Sequence, residues 1–367
     1  MGYRLLSAIL VLFTISNKLA AQNDNNQIEF SGIHALSVFT PEKYNLTGQV
    51  WGGELAYHLN MSQNKADYIR VLNISAIDIV GSYRSFRDVL INNVPASKGQ
   101  LGDAYTALGR LEINLAGTGP VRLLFTPGLG FTYSTETYFT DKVPLVGSHI
   151  NLTAQAGLKL FAGITPSTGI IGGLDILHYS NVGVRVPNFG INSYNLSLGL
   201  VQRVPGKGPA TSDHPFAQPH GGSVELGGDF GMRGQPYSKN EFYRAGFYAG
   251  YNYQLTSVFS LKGGFDAGYY FTPFKLSDYD RTFAEYGSSY ERWRVGISVG
   301  GDMALGRLVV MAAYGYYLYY HSYFNNKTYW TPGLKYYVTP WMALQGKAYI
   351  HYADADYLGW GLLFRVH

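Results

Sequence analysis

Two polar residues near the middle of the sequence carry a nucleophile and a base for serine-based acyl transfer. His178 and Ser180 are two residues apart, so on a β-strand their side chains lie on the same face. A serine hydroxyl becomes an effective nucleophile when a base removes its proton, and the imidazole of histidine is suited to that role. Asn192 has the same phase on the next predicted strand, so a third polar group lies on this face. The pattern predicts a serine–histidine pair on one strand face.

Neighbouring residues supply the other parts of such a site. The tetrahedral intermediate of acyl transfer needs hydrogen-bond donors for its oxyanion, which the Asn181 amide or the Asn188 side chain could provide. The rest of the strand face is apolar, and four of its side chains form a wall for an acyl chain: Leu174, Ile176, Tyr194 and Leu196. Three polar groups on an apolar face are unusual in a soluble protein, so the surroundings of this hairpin decide what the site can do.

The beginning of the sequence has the pattern of a signal peptide over residues 1–21. Arg4 precedes an apolar run that is too short to cross a bilayer as a helix. Without Arg4 and Lys18 the net charge falls from +4 to +2, because no acidic residue precedes Asp24. This near-neutral balance argues against nucleic acid as a partner. The chain has no cysteine, which excludes disulfides and thiolate chemistry.

The remaining sequence is typical of an exported β-structure. It is rich in glycine (45) and tyrosine (32), only 14% of the residues are charged, and no apolar run reaches the length of a transmembrane helix. Apolar and polar residues alternate over long segments such as 150–160, 243–254 and 358–366. Strands of this length can cross a membrane when they are tilted. We therefore predict an all-β fold, an antiparallel transmembrane β-barrel with about 16 strands in total.

The lengths of the connections indicate the orientation of this barrel. Connections after even-numbered predicted strands are short, as at 117–120 and 164–167, whereas several after odd-numbered strands are long, as at 84–101 and 181–190. Outer-membrane barrels have short periplasmic turns and long extracellular loops. The pattern places the His178 hairpin tip at the extracellular end of the seventh strand, on the lipid face of the outer leaflet.

A Pro- and Gly-rich linker at 204–221 divides the predicted strands into two sets of eight. The first half, 22–203, carries the hairpin, and the second half, 222–367, is interpreted as a degenerate repeat of it. In the second half His351 has the opposite strand phase, so we expect an ordinary lumen residue there. A single closed sheet would remove every edge with one ring, whereas the repeat and the linker favour two eight-stranded units. Both arrangements stay open, with a slight preference for the single ring.

The hairpin also resembles a known family. The order His178-Tyr-Ser180-Asn181-x-Gly183, followed by Pro-Asn188-x-Gly, is similar to the signature of the outer-membrane lipid A 3-O-deacylases (PagL-like), which are acyloxyacyl hydrolases. The resemblance implies an eight-stranded barrel that removes the 3-linked hydroxyacyl chain from lipid A of lipopolysaccharide. It further implies Ser180 as the nucleophile, His178 as the base, and Asn181, Gly183 and Asn188 as oxyanion or substrate-binding residues.

The specific likeness covers about 178–192, with a looser architectural likeness over 28–204. One position departs from the family pattern, because the third member of the triad is a glutamate in the family and Asn192 here. An amide can orient the imidazole, but it supplies no negative charge to stabilise the imidazolium. Asp175 cannot replace the glutamate, because its phase points into the lumen. The predicted function is ester hydrolysis on lipid A in the outer leaflet. The alternatives are a non-catalytic structural or lipid-binding barrel and a porin-like channel.

Other conspicuous residues receive structural interpretations. The tyrosine-rich segment 314–323 is typical of an interfacial aromatic girdle. Four aspartates are interpreted as scattered loop carboxylates rather than a divalent-cation site: Asp278, Asp280, Asp354 and Asp356. No nucleotide, metal or cofactor motif is present, so neither a cofactor nor a metal is predicted.

Overall fold

The computed structural model describes residues 25–40, 44–211, 216, 218, 220–235, 237–273, 289, 291–322, 326–352 and 354–366. The predicted signal peptide lies outside these residues, as do Asp278 and Asp280. The described chain divides into two compact units. The first contains the described residues of 25–143 together with 148–180 and 190–211, and the second contains 144–147, 181–189 and the described residues from 216 onward.

The first unit is an antiparallel sheet that closes on itself. Its strands are β1 (Asn25–Phe39), β2 (Leu46–Thr47), β3 (Val50–Asn60), β4 (Ile74–Ser85), β5 (Leu90–Ile91), β6 (Asp103–Ala116), β7 (Val121–Phe125), β8 (Gly128–Ser134), β9 (Ile150–Gly163), β10 (Thr168–Ser180) and β11 (Ile191–Lys207). The order is β1-β3-β4-β6, then β7 with β8, then β9-β10-β11, and β11 pairs with β1 to complete the ring. Because β7 and β8 lie along one strand position, the ring has eight strands, while β2 pairs with β5 apart from it.

Short helical segments lie in the loops of this first unit: α1 (Asp67–Val71), a 3-10 turn (Pro95–Ser97) and α2 (Tyr138–Asp141). Among the described residues, no helix is both long enough and apolar enough to span a membrane.

The second unit repeats the closed antiparallel arrangement. Its strands are β12 (Gly221–Gly234), β13 (Glu241–Gln254), β14 (Phe259–Tyr270), β15 (Trp293–Leu305), β16 (Leu308–Tyr319), β17 (Thr328–Trp330), β18 (Gly333–Thr339), β19 (Met342–His351) and β20 (Asp354–Val366). Each strand pairs with the next along the chain, β17 and β18 share one position, and β12 pairs with β20. The described part of this unit is therefore also an eight-stranded barrel.

A Thr-Pro pair interrupts one strand in each ring, at Thr126-Pro127 and at Thr331-Pro332. Proline has no N–H to donate to the neighbouring strand, so the ladder breaks there. The Pro127 carbonyl still accepts a hydrogen bond of 2.9 Å from the Leu111 amide, which keeps the two halves of the strand in the sheet.

The strands carry their apolar side chains on the outside of each ring. In β10, Leu174 is 55% exposed, whereas the neighbouring Asp175 is only 6% exposed. Two-residue alternation sends every second side chain into the lumen, and a surface of exposed leucine, isoleucine and aromatic residues is suited to lipid rather than to water. The predicted alternation and the predicted all-β barrel are confirmed.

Paired charges fill the lumen of the first barrel. Arg110 bonds to Glu54 (2.5 Å), Asp78 (2.8 Å) and Glu29 (3.2 Å), and Lys159 lies 2.8 Å from Glu29. Charges buried in a low dielectric need such partners. An eight-stranded barrel is just wide enough for its own side chains, so this lumen is a packed core and not a channel.

The second barrel fills its lumen with a different mixture of charges and rings. Lys335 lies 2.7 Å from Asp302 and 2.8 Å from Glu225. Further along, the Arg244 guanidinium lies 3.9 Å from the centroid of the Tyr357 ring and 4.2 Å from that of Tyr349. Cation–π contacts take the place of carboxylates around this buried arginine.

Two of the sequence expectations need correction. The preference for a single large ring is wrong, because each half of the chain closes its own sheet. Asp356 is not a loop carboxylate: it lies in β20, buried, with ion pairs to Arg294 (3.0 Å) and Arg233 (3.1 Å). β11 ends at Lys207 and β12 begins at Gly221, the last residue of the predicted linker at 204–221.

Candidate active site

The predicted site lies where the end of β10 pairs with the beginning of β11. The register places His178 directly opposite Asn192, Ile176 opposite Tyr194, and Leu174 opposite Leu196. Directly opposed residues in an antiparallel pair have their side chains on the same face and about 5 Å apart. Sequence phase and strand register therefore bring histidine and asparagine together, although 14 positions separate them in the chain.

The three polar side chains form one hydrogen-bonded line. His178 Nε2 lies 3.1 Å from Ser180 Oγ, and His178 Nδ1 lies 2.9 Å from Asn192 Oδ1. Both distances are those of good hydrogen bonds. A nucleophile, a base and a group that orients the base are the three roles of a serine hydrolase triad.

A fourth residue determines which atom carries the imidazole proton. Asn192 Nδ2 donates to the carbonyl oxygen of Phe39, at 3.3 Å, on the neighbouring strand β1. With its amino group engaged there, the Asn192 carbonyl oxygen faces His178 and must accept, so Nδ1 carries the proton. Nε2 is then the unprotonated nitrogen, and it accepts the hydrogen bond from the Ser180 hydroxyl. This is the tautomer that a general base requires.

Gly190 is a part of the site that the sequence prediction did not single out. Its φ is +74°, and a Cβ atom there would lie 2.9 Å from His178 Cε1 and 3.3 Å from Ser180 Cβ. Only glycine combines this backbone conformation with so close an approach. The Pro-Asn-x-Gly part of the motif is the sequence signal from which it could have been found.

The proposed acyl-chain wall is exposed on the outer face of the hairpin. Leu174, Ile176, Tyr194 and Leu196 are each between 37% and 55% exposed. Tyr194 also stacks on Phe39, with ring centroids 5.0 Å apart. The apolar surface thus continues from β10 across β11 to β1 beside the triad.

The segment that follows Ser180 belongs by its contacts to the second unit. Within it the Asn181 amide donates a long hydrogen bond of 3.4 Å to the Asn188 side-chain oxygen. That oxygen also accepts from Gly147 at 3.5 Å. Gly183 has a φ of +78°, and its carbonyl accepts from the Gly234 amide at 2.7 Å. Asn181, Gly183 and Asn188 therefore form one ordered segment that is covalently continuous with the nucleophile.

Two other candidates face the lumen of their own barrel, as strand phase predicts. Asp175 is buried on the lumen side, where it accepts from Asn195 Nδ2 at 2.9 Å. His351 in the second barrel is buried, and its Nε2 lies 3.3 Å from the Tyr317 hydroxyl.

One group of side chains in the described residues has the composition of a metal site: His58, Asp78 and Glu112. All three are buried in the lumen of the first barrel, on the opposite face of the sheet from the triad. His58 Nδ1 already lies 2.8 Å from Asp78 and 3.2 Å from Glu112, and Arg110 holds the second oxygen of Asp78. These contacts neutralise the carboxylates within the protein, so the group is a part of the lumen charge network.

Comparisons with known proteins match both halves of the chain. Residues 37–201 match the model of a family described as lipid A 3-O-deacylase (PagL). Residues 218–367 match the model described as acyloxyacyl hydrolase, C-terminal domain (PagL_C). A search of curated proteins finds no match.

Several solved outer-membrane structures are similar at low sequence identity. The outer membrane enzyme PagL is 18% identical, over 47% of this chain and 97% of that one, with a TM-score of 0.30. The outer membrane protein Omp33 of Acinetobacter baumannii is 13% identical, over 94% and 100% of the two chains, with a TM-score of 0.16. The NanC porin is 6% identical, over 93% and 100%, with a TM-score of 0.17.

Proposed function

Because this chain belongs to the PagL family of lipid A 3-O-deacylases and acyloxyacyl hydrolases, β-barrels of the bacterial outer membrane, we propose that it is a serine esterase acting on lipid A. In this proposal it removes an ester-linked 3-hydroxyacyl chain from lipid A in the outer leaflet. The observation that carries the proposal is the Ser180–His178–Asn192 line on the outer face of the first barrel.

The chemistry takes two steps. Ser180 Oγ attacks the ester carbonyl while His178 Nε2 accepts its proton, and the resulting tetrahedral oxyanion collapses to an acyl-enzyme. The sugar hydroxyl leaves with the proton that His178 returns to it. Water then attacks the acyl-enzyme with His178 again as the base, which releases the 3-hydroxy fatty acid and restores Ser180.

The backbone amide that follows Ser180 is suited to the oxyanion. The Asn181 amide donates a hydrogen bond of 3.4 Å to the Asn188 side-chain oxygen, which is long and therefore weak. In the proposed mechanism it exchanges this bond for a shorter one to the oxyanion, where negative charge develops. Asn188 and Gly183 hold the segment in place.

The apolar surface beside the triad explains how a lipid would reach it. A soluble esterase binds its acyl group in a cleft, but here the wall formed by Leu174, Ile176, Tyr194 and Leu196 is open on the outer face. An acyl chain of a membrane lipid can lie along this wall without leaving the hydrocarbon phase, so the binding step removes little apolar surface from water.

Asn192 is the feature that favours a second function. Without a carboxylate the imidazolium formed during attack lacks its usual charge partner, which lowers the rate expected for hydrolysis. A lipid-binding barrel that holds lipid A at the same surface without cleaving it is the alternative. A channel function is not favoured, because the lumen of the first barrel is packed with paired charges.

Mass spectrometry of lipid A tests the proposal. We expect expression of the protein in a bacterium with intact lipid A to produce a species that lacks one 3-hydroxyacyl chain. The substitution Ser180→Ala should abolish that species, with a loss of at least about 10³-fold in rate, because the nucleophile is removed. Ser193→Ala is the matched control, since Ser193 lies on the adjacent strand but is fully buried on the lumen side.

The outcome also separates the two functions. An unchanged lipid A profile with folded wild-type protein, together with binding of lipid A that Ser180→Ala retains, would refute hydrolysis and support the lipid-binding alternative.

A further inference from the structure

A cavity opens into the first barrel at the end opposite to the triad. It has a volume of about 530 Å³ and is formed by the strand ends and the turns 117–120 and 164–167. Thr168, the first residue of β10, lines the cavity, and Ser180 is the last residue of the same strand. The full length of the strand therefore separates the cavity from the nucleophile.

Apolar side chains form part of the cavity wall. Phe161 and Val201 line it and belong to a buried cluster with Leu124 and Ile171. The cluster adjoins the lumen charges, because Val201 pairs with Glu29 and Phe161 is two residues from Lys159 on β9.

The walls of this pocket are positively charged. Arg122 and Arg203 line it, and none of the described residues around it is acidic. Arg122 lies 4.7 Å from the centroid of the Phe161 ring, and Arg203 donates to the carbonyl oxygen of Pro166. The carboxylate that acts on Arg122 electrostatically is Glu112, which does not line the pocket and is ion-paired with His58 at 3.2 Å. Two guanidinium groups, each with five N–H donors, thus share one pocket in which none of the described lining residues is acidic.

Neutral polar groups complete the lining. Asn73, Ser75, Thr165 and Ser167 contribute hydroxyl and amide groups around the two arginines. A pocket lined by two guanidinium groups and hydroxyl donors, with no carboxylate among its described lining residues, favours a dianionic oxyanion, which it can bind by several charge-assisted hydrogen bonds.

We propose that this pocket binds a phosphate group. The volume exceeds that of a single phosphate and lies in the range of small-ligand sites, so it accommodates either free phosphate or the phosphate of a lipid headgroup. In barrels of this class the short turns, which form this pocket, lie on the periplasmic side. Phospholipid headgroups of the inner leaflet are present on that side. The site does not depend on the proposed ester hydrolysis.

Isothermal titration calorimetry on the folded full chain in neutral detergent tests the site. The two probes are inorganic phosphate and dihexanoyl phosphatidic acid, which distinguish a free anion from a headgroup. We expect Arg122→Gln and Arg203→Gln each to weaken binding about 10-fold and the double variant about 100-fold, because each removes charge-assisted hydrogen bonds. Arg70→Gln is the matched control, since Arg70 is exposed on α1 and pairs with Asp67 outside the pocket.

The results assign the source of the phosphate or overturn the site. Binding of both probes with similar affinity supports a free phosphate, and binding of the lipid alone supports a headgroup. Failure of both probes to bind at millimolar concentration, or equal affinity in wild type and the double variant, overturns the proposal. If the double variant does not fold, the Arg122→Lys, Arg203→Lys double variant takes its place. Lysine keeps the positive charge but lacks the paired N–H donors of the guanidinium, so this variant should bind phosphate measurably more weakly than wild type. Ser180→Ala should bind as wild type does, so loss of hydrolysis cannot be mistaken for loss of this site.

Discussion

The last hairpin of each barrel contains a histidine near its tip, yet only the first barrel presents it on the outer surface. His178 on β10 bonds to Ser180 and Asn192. His351 on β19 is buried and lies beside the hydroxyl of Tyr317. The local sequences around the two histidines are similar, and both strands belong to closed eight-stranded rings.

Strand phase separates the two hairpins. Successive side chains of a strand point to opposite faces, so a shift of one residue exchanges lipid face and lumen. On β10 the exposed set includes Leu174 and Ile176, which have the phase of His178, whereas on β19 the exposed Leu344 has the opposite phase from His351. The loops differ as well, since ten residues follow Ser180 before β11 and only two lie between β19 and β20. Only the first hairpin combines a histidine on the outer face with a long connecting loop, and it is the hairpin that carries the candidate active site.

The histidine pair gives the sharpest test of this comparison. His178→Gln should lower the rate of lipid A deacylation about 10³-fold, because glutamine cannot accept the serine proton. His351→Gln should leave the rate within about twofold of wild type, since His351 lies in the lumen of the other barrel. Deacylation of purified lipid A in mixed micelles measures both. A large rate loss in His351→Gln would show that the second barrel takes part in the chemistry.

Replacing Asn192 by glutamate asks whether the missing charge limits the rate. We expect Asn192→Glu to raise kcat about 10-fold, because a carboxylate stabilises the imidazolium. The gain is smaller than the full effect of a triad acid, since the donor to the Phe39 carbonyl is lost. Asn192→Gln has the longer side chain without the charge and serves as the control. A slower Asn192→Glu enzyme would mean that the site depends on the amide.

Gly190→Ala tests how closely the loop must approach the base. The new Cβ would meet His178 Cε1 at 2.9 Å in a backbone conformation that costs about 1–2 kcal/mol for alanine. We expect kcat to fall about 10-fold from displacement of the imidazole. Gly81→Ala, at a position on β4 where a Cβ has no neighbour within 4 Å, should have no effect. Wild-type activity in Gly190→Ala would show that the site tolerates this shift.

Asp175 provides the smallest expected effect. Asp175→Asn should change the deacylation rate by less than about twofold, because the carboxylate lies on the lumen side, bonded to Asn195. The same micelle assay measures it. A loss of tenfold or more would indicate that Asp175 supplies the negative charge that Asn192 lacks.

Much of the first barrel follows from local sequence patterns. Alternation predicts which side chains of β10 and β11 share a face, because that choice depends only on a two-residue period. The spacing of His178 and Ser180 similarly fixes a short-range contact. By contrast, the opposition of His178 and Asn192 depends on strand register, and the approach of Gly190 depends on the path of the loop. Neither is encoded in a local period.

Residue type and local spacing were enough to predict the strand faces, the lipid-facing hairpin and the three polar groups on it. Whether one ring or two forms is a tertiary property, because closure depends on which distant strands pair: β1 with β11, and β12 with β20. The tertiary structure also decided the imidazole tautomer, because the Phe39 carbonyl that orients Asn192 is 153 residues away in the chain. A long-range contact of this kind leaves no signal in the local sequence.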